Sequence, residues 1–183
     1  MVEIKAASTS SDLEGILALQ WANHLSTISS EEKSKEGFVT VRHTMEQLAA
    51  MNALAPHIIA KDEEEVVGYI LAMTKASRNL VPVLVPMFEQ FDQLNFKGKK
   101  VAEMDYMVIG QICVGKNQRG TGLFDQMYKA YQEAYSPSYE FAITEIALSN
   151  TRSLAAHQRV GFRTIHEFAD QTQPWAIVAW DWK

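Results

Sequence analysis

The chain holds a single cysteine in 183 residues, Cys113. An intramolecular disulfide is thereby excluded, and such usage fits a reducing compartment. Cys113 lies in an apolar run, where a thiol is most often a small buried hydrophobe. No apolar run approaches the ~20 residues that a membrane-spanning helix needs. Met1 to Lys5 has no basic stretch followed by an apolar one, so no secretory signal is evident. A basic excess is missing too: 17 Lys and Arg stand against 22 Asp and Glu, for a formal net charge of −5. That balance argues against a nucleic-acid-binding face. Repeats and low-complexity tracts are absent, and no metal site is expected. The 47% apolar content is enough for a proper core. A soluble, cytoplasmic protein is expected, with one domain spanning residues 1–183.

What is present is concentrated in one stretch, Val114 to Phe124. The apolar run Met107–Val114 reads as a strand buried on both faces. It breaks into a basic, glycine-bearing loop that opens directly into an amphipathic helix. Helix N-termini expose unpaired N–H groups and a partial positive charge. Glycines let those groups approach an anion without Cβ interference. The arrangement therefore suits a phosphate. Two familiar phosphate loops fail here. In the dinucleotide fingerprint Asp125 stands where the third glycine belongs, and in the P-loop Thr121 replaces the lysine that must reach the phosphates.

Arg119, Gly120, Thr121, Gly122, Leu123 and Phe124, with Val114 five residues before the arginine, resemble the pyrophosphate loop of the GNAT superfamily of acyl-CoA N-acyltransferases. Phe124 departs from the family by replacing a small residue. A second stretch strengthens the likeness. Asn150, Ser153, His157, Gly161 and Phe162 match the family's N-x-x-[SA]-x-x-x-[YH]-x-x-x-G-F element. Asn150 suits a helix N-cap and Gly161 a terminator. Asn150, Ser153 and His157 share one helix face.

The resemblance implies an α+β fold layered α/β/α. Its mixed, mostly antiparallel sheet of six to seven strands would be flanked by helices, with splayed central strands. It implies acetyl-CoA as cofactor, held by Gln118 to Phe124, by Asn150, Ser153 and His157, and by the main chain of Ile112, Cys113 and Val114. A bulge at Gly110 would open the gap that admits the pantetheine arm. The reaction implied is direct acetyl transfer to a primary amine of a small molecule, amino acid or protein. The partner would be a small-molecule or peptide amine, the protein a monomer or homodimer, with no nucleic acid or membrane involved. A non-catalytic acyl-CoA-binding sensor or regulatory module is the alternative.

His157 stands where the family usually has tyrosine. It would protonate the departing thiolate, since an imidazolium proton is available near pH 6.5; a structural histidine is the other reading. For the base, Glu103 and Asp105 lie before the central strand and share a face if the strand is regular. Tyr106 and Gln111 are further candidate contacts.

The remaining pattern predicts a strand at Val2–Ala6 and a helix from Thr9–Asp12 onward. Its stripe is Leu13, Ile16, Leu17, Trp21 and Leu25. Trp21 and His24 either line the acceptor pocket or sit in the core and on the surface. The polar stretch Ser26–Phe38 reads as a loop or short helix, and Thr44–Met51 as a helix. Strands follow at His57–Lys61 and Val66–Met73, separated by an acidic turn. An extended lead-in with Pro82 then passes into a helix at Pro86–Leu94, and Asn95–Lys100 reads as a basic turn. Leu123, Met127, Tyr131 and Ala134 should face the core from the loop's helix. Phe141–Leu148 is the next strand, and Phe162–Phe168 and Trp175–Trp182 close the chain as an antiparallel pair.

Overall fold

The computed structural model describes residues 1–24, 26–32 and 38–183. Leu25 of the expected helical stripe, and Lys33, Lys35 and Glu36 of the polar stretch, lie outside the described residues. Nine strands are described: β1 (Val2–Ala6), β2 (Ile58–Asp62), β3 (Glu65–Met73), β4 (Asn95–Phe96), β5 (Lys99–Lys100), β6 (Tyr106–Val114), β7 (Phe141–Ala147), β8 (Arg163–Ala169) and β9 (Pro174–Asp181). Five helices accompany them: α1 (Ser10–Ala22), α2 (Met45–Leu54), α3 (Val85–Gln93), α4 (Leu123–Tyr135) and α5 (Thr151–Val160).

Each early helix starts on a local signal. The Thr9 hydroxyl accepts from the Asp12 N–H at 3.1 Å, and the Asp12 carboxylate accepts from the Thr9 N–H at 3.2 Å. Thr44 and Gln47 close the same reciprocal box at α2. Pro86 sits in the first turn of α3, where its missing N–H costs nothing. The lead-in to α3 is a 3-10 turn, Pro82–Leu84, not the extended segment expected. Asn95–Lys100 is a two-strand ribbon, β4 on β5, turning through Lys97 and Gly98 at positive φ.

The large sheet has the order β1-β2-β3-β6-β7-β9-β8. All its pairings are antiparallel except β6 with β7. Alternation along the strands divides the core into two layers. One layer, with α1, α2 and α3, buries Ile16, Leu48, Tyr69, Leu71, Phe88, Phe91 and Ile143. The other, with α4, buries Ile70, Met107, Leu123, Met127, Tyr128, Tyr131 and Val178. Tyr128 therefore takes a core place on α4, whereas Ala134 is exposed. Trp21 is 44% exposed rather than core; it stacks on His24 and lies 4.2 Å beneath the Arg42 guanidinium.

Two irregularities shape the middle of the sheet. Leu71 pairs with Gln111, but Ala72 pairs with Ile109, so Gly110 is the extra residue of a bulge. The N–H of Ala72 beside that bulge donates to Nδ1 of His57 at 3.0 Å, which gives this buried amide a partner. Parallel pairing of β6 with β7 covers Tyr106–Phe141, Met107–Ala142 and Val108–Ile143. Beyond that point the strands part. The Thr144 hydroxyl donates to the Ile109 carbonyl at 2.8 Å and caps the end of the ladder.

Three histidines are buried without charge. The N–H at Nε2 of His57 donates to the Leu48 carbonyl. His43 Nδ1 meets the Gln20 amide at 2.9 Å. His157, on α5, is 2% exposed against Tyr128 of α4. Burial pushes all three down to about 4 from an ordinary 6.5, with His57 adding its repulsion at His43. Between those values the unfolded chain binds protons that the native state refuses. The stability is thus complete above about pH 6.5 and drains away as the pH falls towards 4. The slope is about 1.4 kcal/mol per pH unit for each histidine. Glu145, raised to about 7 by burial, slopes the other way and offsets roughly a third of it. Urea unfolding should show a markedly lower midpoint at pH 5 than at pH 7; equal midpoints would mean that the histidines titrate freely in the native state.

Candidate active site

Where β6 and β7 part, their main chains line a narrow cavity of about 120 Å³. Ile109, Gly110, Gln111 and Ile112 form one wall, and Thr144, Glu145, Ile146 and Ala147 the other. The extended segment Phe38–Val41 and Leu84 and Met87 complete it. That segment is pinned on both sides. The N–H of Val39 donates to the Asn23 carbonyl at 3.2 Å, and the Gln111 amide to the Val41 carbonyl at 2.9 Å. Gln111 in turn accepts from Tyr69 and from Gln20, both at 2.7 Å. The wall beside the gap is thus braced by a buried polar network.

A second cavity of about 530 Å³ adjoins the first, sharing Phe38, Val39, Ile112, Asn150 and Ser153. Its volume falls within the range of small-molecule sites. Two helix N-termini line it: α4 through Gly122, Leu123 and Phe124, and α5 through Asn150, Arg152 and Ser153. Their partial positive charges converge on one space. Gly120 and Gly122 have φ of +76° and +85°, a region that disfavours any Cβ. Gly122 caps α4 with no side chain, which leaves the first-turn amides to an anion.

The basic side chains around this cavity are held in place. Arg119 donates to the Val114 carbonyl at 3.2 Å and to the Asn23 amide oxygen at 2.7 Å, so it ties the loop to α1. Arg159 grips Asp125 with two bonds, at 2.7 and 3.1 Å, and lies over the Phe124 ring. Lys116 pairs with Glu32. The Phe124 ring packs edge-on against Tyr128 and His157. Its bulk is absorbed between α4 and α5.

The residues expected from the sequence are therefore largely brought together. Ile112, Cys113, Val114, Gln118, Arg119, Gly120, Gly122, Leu123, Phe124, Asn150 and Ser153 all line the larger cavity. Thr121 does not; its hydroxyl donates to the Gln118 carbonyl at 2.7 Å and braces the turn. The Cys113 thiol is pushed up to about 12, chiefly by burial, and is no nucleophile at neutral pH.

Two expectations need correction. His157 lines the smaller cavity, but Nδ1–H donates to the Ser153 carbonyl at 2.7 Å, which leaves Nε2 to accept from the Tyr128 hydroxyl at 2.7 Å. Both nitrogens are committed and burial disfavours the imidazolium, which weighs against His157 as the proton donor to a leaving thiolate. Glu103 and Asp105 are exposed before β6, at the end where β6 and β7 are still paired. The Asp105 main chain is bonded to Glu140, and neither carboxylate lines either cavity.

The carboxylate that does face the gap is Glu145, which the sequence reading passed over. It lies in β7 beside Thr144, among residues that are otherwise apolar. It is half-buried, and among the described residues that line the smaller cavity it is the only charged side chain. Burial, helped by the negative charge of Asp170, raises its pKa to about 7 from an ordinary 4.5. A group poised there takes up or gives a proton near neutral pH. Among the described residues no cluster of three or more His, Cys, Asp or Glu could hold a metal, and no helix is long and apolar enough to cross a membrane.

Comparison with known proteins follows the same outline. A family model, described as the acetyltransferase (GNAT) family, matches residues 18–162, which include both cavities' loops and helices. No curated protein matches the sequence significantly. Among solved structures the fold is similar to the ribosomal-protein-S18-alanine N-acetyltransferase of Escherichia coli, with TM-score 0.65, 12% identity, and coverage of 99% of this chain and 94% of that one. The NatC complex bound to Gag peptide and CoA gives TM-score 0.66 at 11% identity, over 100% and 99% of the two chains. A putative acetyltransferase of Salmonella typhimurium, yncA, solved with its cofactor acetyl-CoA, gives 0.61 at 15%, over 98% and 93%.

The geometry of His157 makes a direct prediction. His157→Phe keeps the ring packing but leaves the buried Tyr128 hydroxyl without its acceptor, at a cost of about 1–3 kcal/mol. Chemical denaturation should register that loss, while kcat for thioester turnover changes less than threefold. A drop in kcat of a hundredfold with unchanged stability would restore His157 as the acid.

Proposed function

The chain belongs to the GNAT acetyltransferase family, and from that premise we propose that it moves an acetyl group from acetyl-CoA directly to a primary amine, with Glu145 as general base. The observation that carries the proposal is the continuity of the two cavities. One is lined by two helix N-termini, and it runs into a gap that ends at a carboxylate of raised pKa.

In this reading the amides of Gly120 to Phe124 grip the diphosphate, and α5 contributes its own N-terminus. The pantetheine arm runs along β6, where the main chain of Ile112 to Val114 has lost its β7 neighbour. Its amides pair, as a strand would, with the groups that remain once the Val114 carbonyl has been taken by Arg119. The thioester then reaches the junction of the cavities near Ile112, with a β6 N–H placed to stabilise the developing oxyanion.

The acceptor arrives as an ammonium ion and must lose a proton to attack. Glu145, ionised at and above about pH 7, takes it. The neutral nitrogen adds to the thioester carbonyl, and the carbon–sulfur bond breaks as the tetrahedral intermediate collapses. The second nitrogen-borne proton leaves with the thiolate, directly or through water. No separate acid is needed, which agrees with a neutral His157. Sequestering acyl-CoA alone would call for no basic group at the end of the gap, so transfer is favoured over a sensor role.

Acetyl-CoA should raise the melting temperature, and Gly122→Val, which forces a β-branched residue to positive φ at the cap, should abolish that shift. A shift that survives the substitution would put the diphosphate elsewhere. The kcat/KM profile should show an acid limb with an apparent pKa near 7. Glu145→Gln should remove that limb and lower kcat by about 10²–10⁴. An unaltered profile would free Glu145 from the role.

A further inference from the structure

The walls of the smaller cavity say which amines the gap accepts. Phe38, Val41, Leu84, Met87, Ile109 and Ile146 present apolar surface. Most of the polar side chains among them are already used; the Trp175 indole N–H is a buried donor without a partner, but it carries no charge. Gln111 accepts from Tyr69 and Gln20 and donates to Val41. Thr144 donates to Ile109. Asn150 accepts from the Ser153 N–H and donates to the Phe38 carbonyl. His157 is bonded at both nitrogens. The side-chain charge left facing the space, among the described lining residues, is that of Glu145.

A second ammonium on the acceptor would find no carboxylate there, and a carboxylate on the acceptor no cation. Either charge would be desolvated without a partner, which is a heavy cost in an apolar site. Size adds a second limit. At about 120 Å³ the space is well below the roughly 300–1,000 Å³ of sites for drug-sized ligands. It takes a short group beside the amine, and anything longer must extend out of it.

We infer that the acceptor is a primary amine carried on a small, uncharged, apolar group, the amine meeting Glu145 and the group filling the space between Met87, Ile109 and Ile146. The inference rests on the transferase reading and narrows it. Two sources present this chemistry: a free short alkylamine, and the terminal amine of a peptide that begins with a small apolar residue. Polyamines, aminoglycosides and free zwitterionic amino acids do not present it. In tight apolar pockets one methylene is worth about 10–200-fold in kcat/KM, so the length limit should be sharp.

The test is CoA-thiol release by the full chain with acetyl-CoA and a panel of acceptors. The panel holds propylamine, hexylamine, peptides beginning with alanine or glutamate, spermidine, kanamycin and free glutamate. Propylamine or the alanine peptide should be preferred by at least tenfold in kcat/KM over every charged or larger acceptor, and the better of the two identifies the source. Met87→Ala, which lengthens the space, should raise the hexylamine-to-propylamine ratio at least fivefold. Preference for spermidine, kanamycin or glutamate would overturn the inference and leave the transferase reading standing. An unchanged ratio in Met87→Ala would overturn the placement of the group. No thiol release with any of these acceptors, despite a thermal shift with acetyl-CoA, would overturn the inference together with transfer itself. Absence of both would remove the cofactor assignment as well.

Discussion

The parting of β6 and β7 is the constraint on which the rest of the structure depends. Two parallel strands stay bonded for three residue pairs and then separate, although both continue for several more residues. An interrupted ladder leaves backbone donors and acceptors that must find other partners. The protein manages part of this internally. Gly110 bulges, the Ala72 N–H is passed to His57, and Thr144 closes the ladder at Ile109. Ile112 to Val114 are left without a β7 partner, and the Val114 carbonyl turns to Arg119 instead. The gap is held open by the fold before any ligand arrives.

Around that gap the two layers of the sheet divide the labour. Layer two sets α4 and α5 so that their N-termini point at a common space, with the Arg159–Asp125 pair and the Phe124 ring bracing one helix against the other. Layer one supplies α3 and the Phe38–Val41 segment, which line the smaller cavity, and α1, whose Gln20 braces Gln111. Arg119 crosses between them, from the loop to Asn23. The two cavities are thus built largely by different elements and, among the described residues, share Phe38, Val39, Ile112, Asn150 and Ser153.

Much of this was legible in the residues. The loop glycines declared positive φ, Asn150 and Gly161 bounded α5, and Gly110 in an apolar strand marked the bulge. Those signals are local, so one sequence carries them. What the residues did not reveal is tertiary. His157 was read from its helix face, but its partner Tyr128 comes from another helix, and only their contact reveals a neutral, occupied ring. Glu103 and Asp105 were chosen for their nearness to β6 in sequence, while access to the gap depends on where β7 leaves it. Glu145 did carry a signal: one carboxylate amid Phe141, Ala142, Ile143, Ile146 and Ala147, in phase with the buried Ile143. An alternation argument applied to β7 would have found it. Trp21 was assigned by periodicity, yet the stripe of α1 ends before it, and the ring is covered by Arg42 instead of the core.

The central claim is that a coenzyme lies with its diphosphate on the amides of Gly120 to Phe124 and its thiol end in the fork between β6 and β7. Co-crystallisation with CoA tests it most directly. Density for the diphosphate at the start of α4, with the sulfur within reach of Ile112 and on the side of Glu145, is the result the account predicts. Density for CoA at any other surface, or β6 and β7 zipped together beyond Val108 and Ile143 in the crystal, would contradict it.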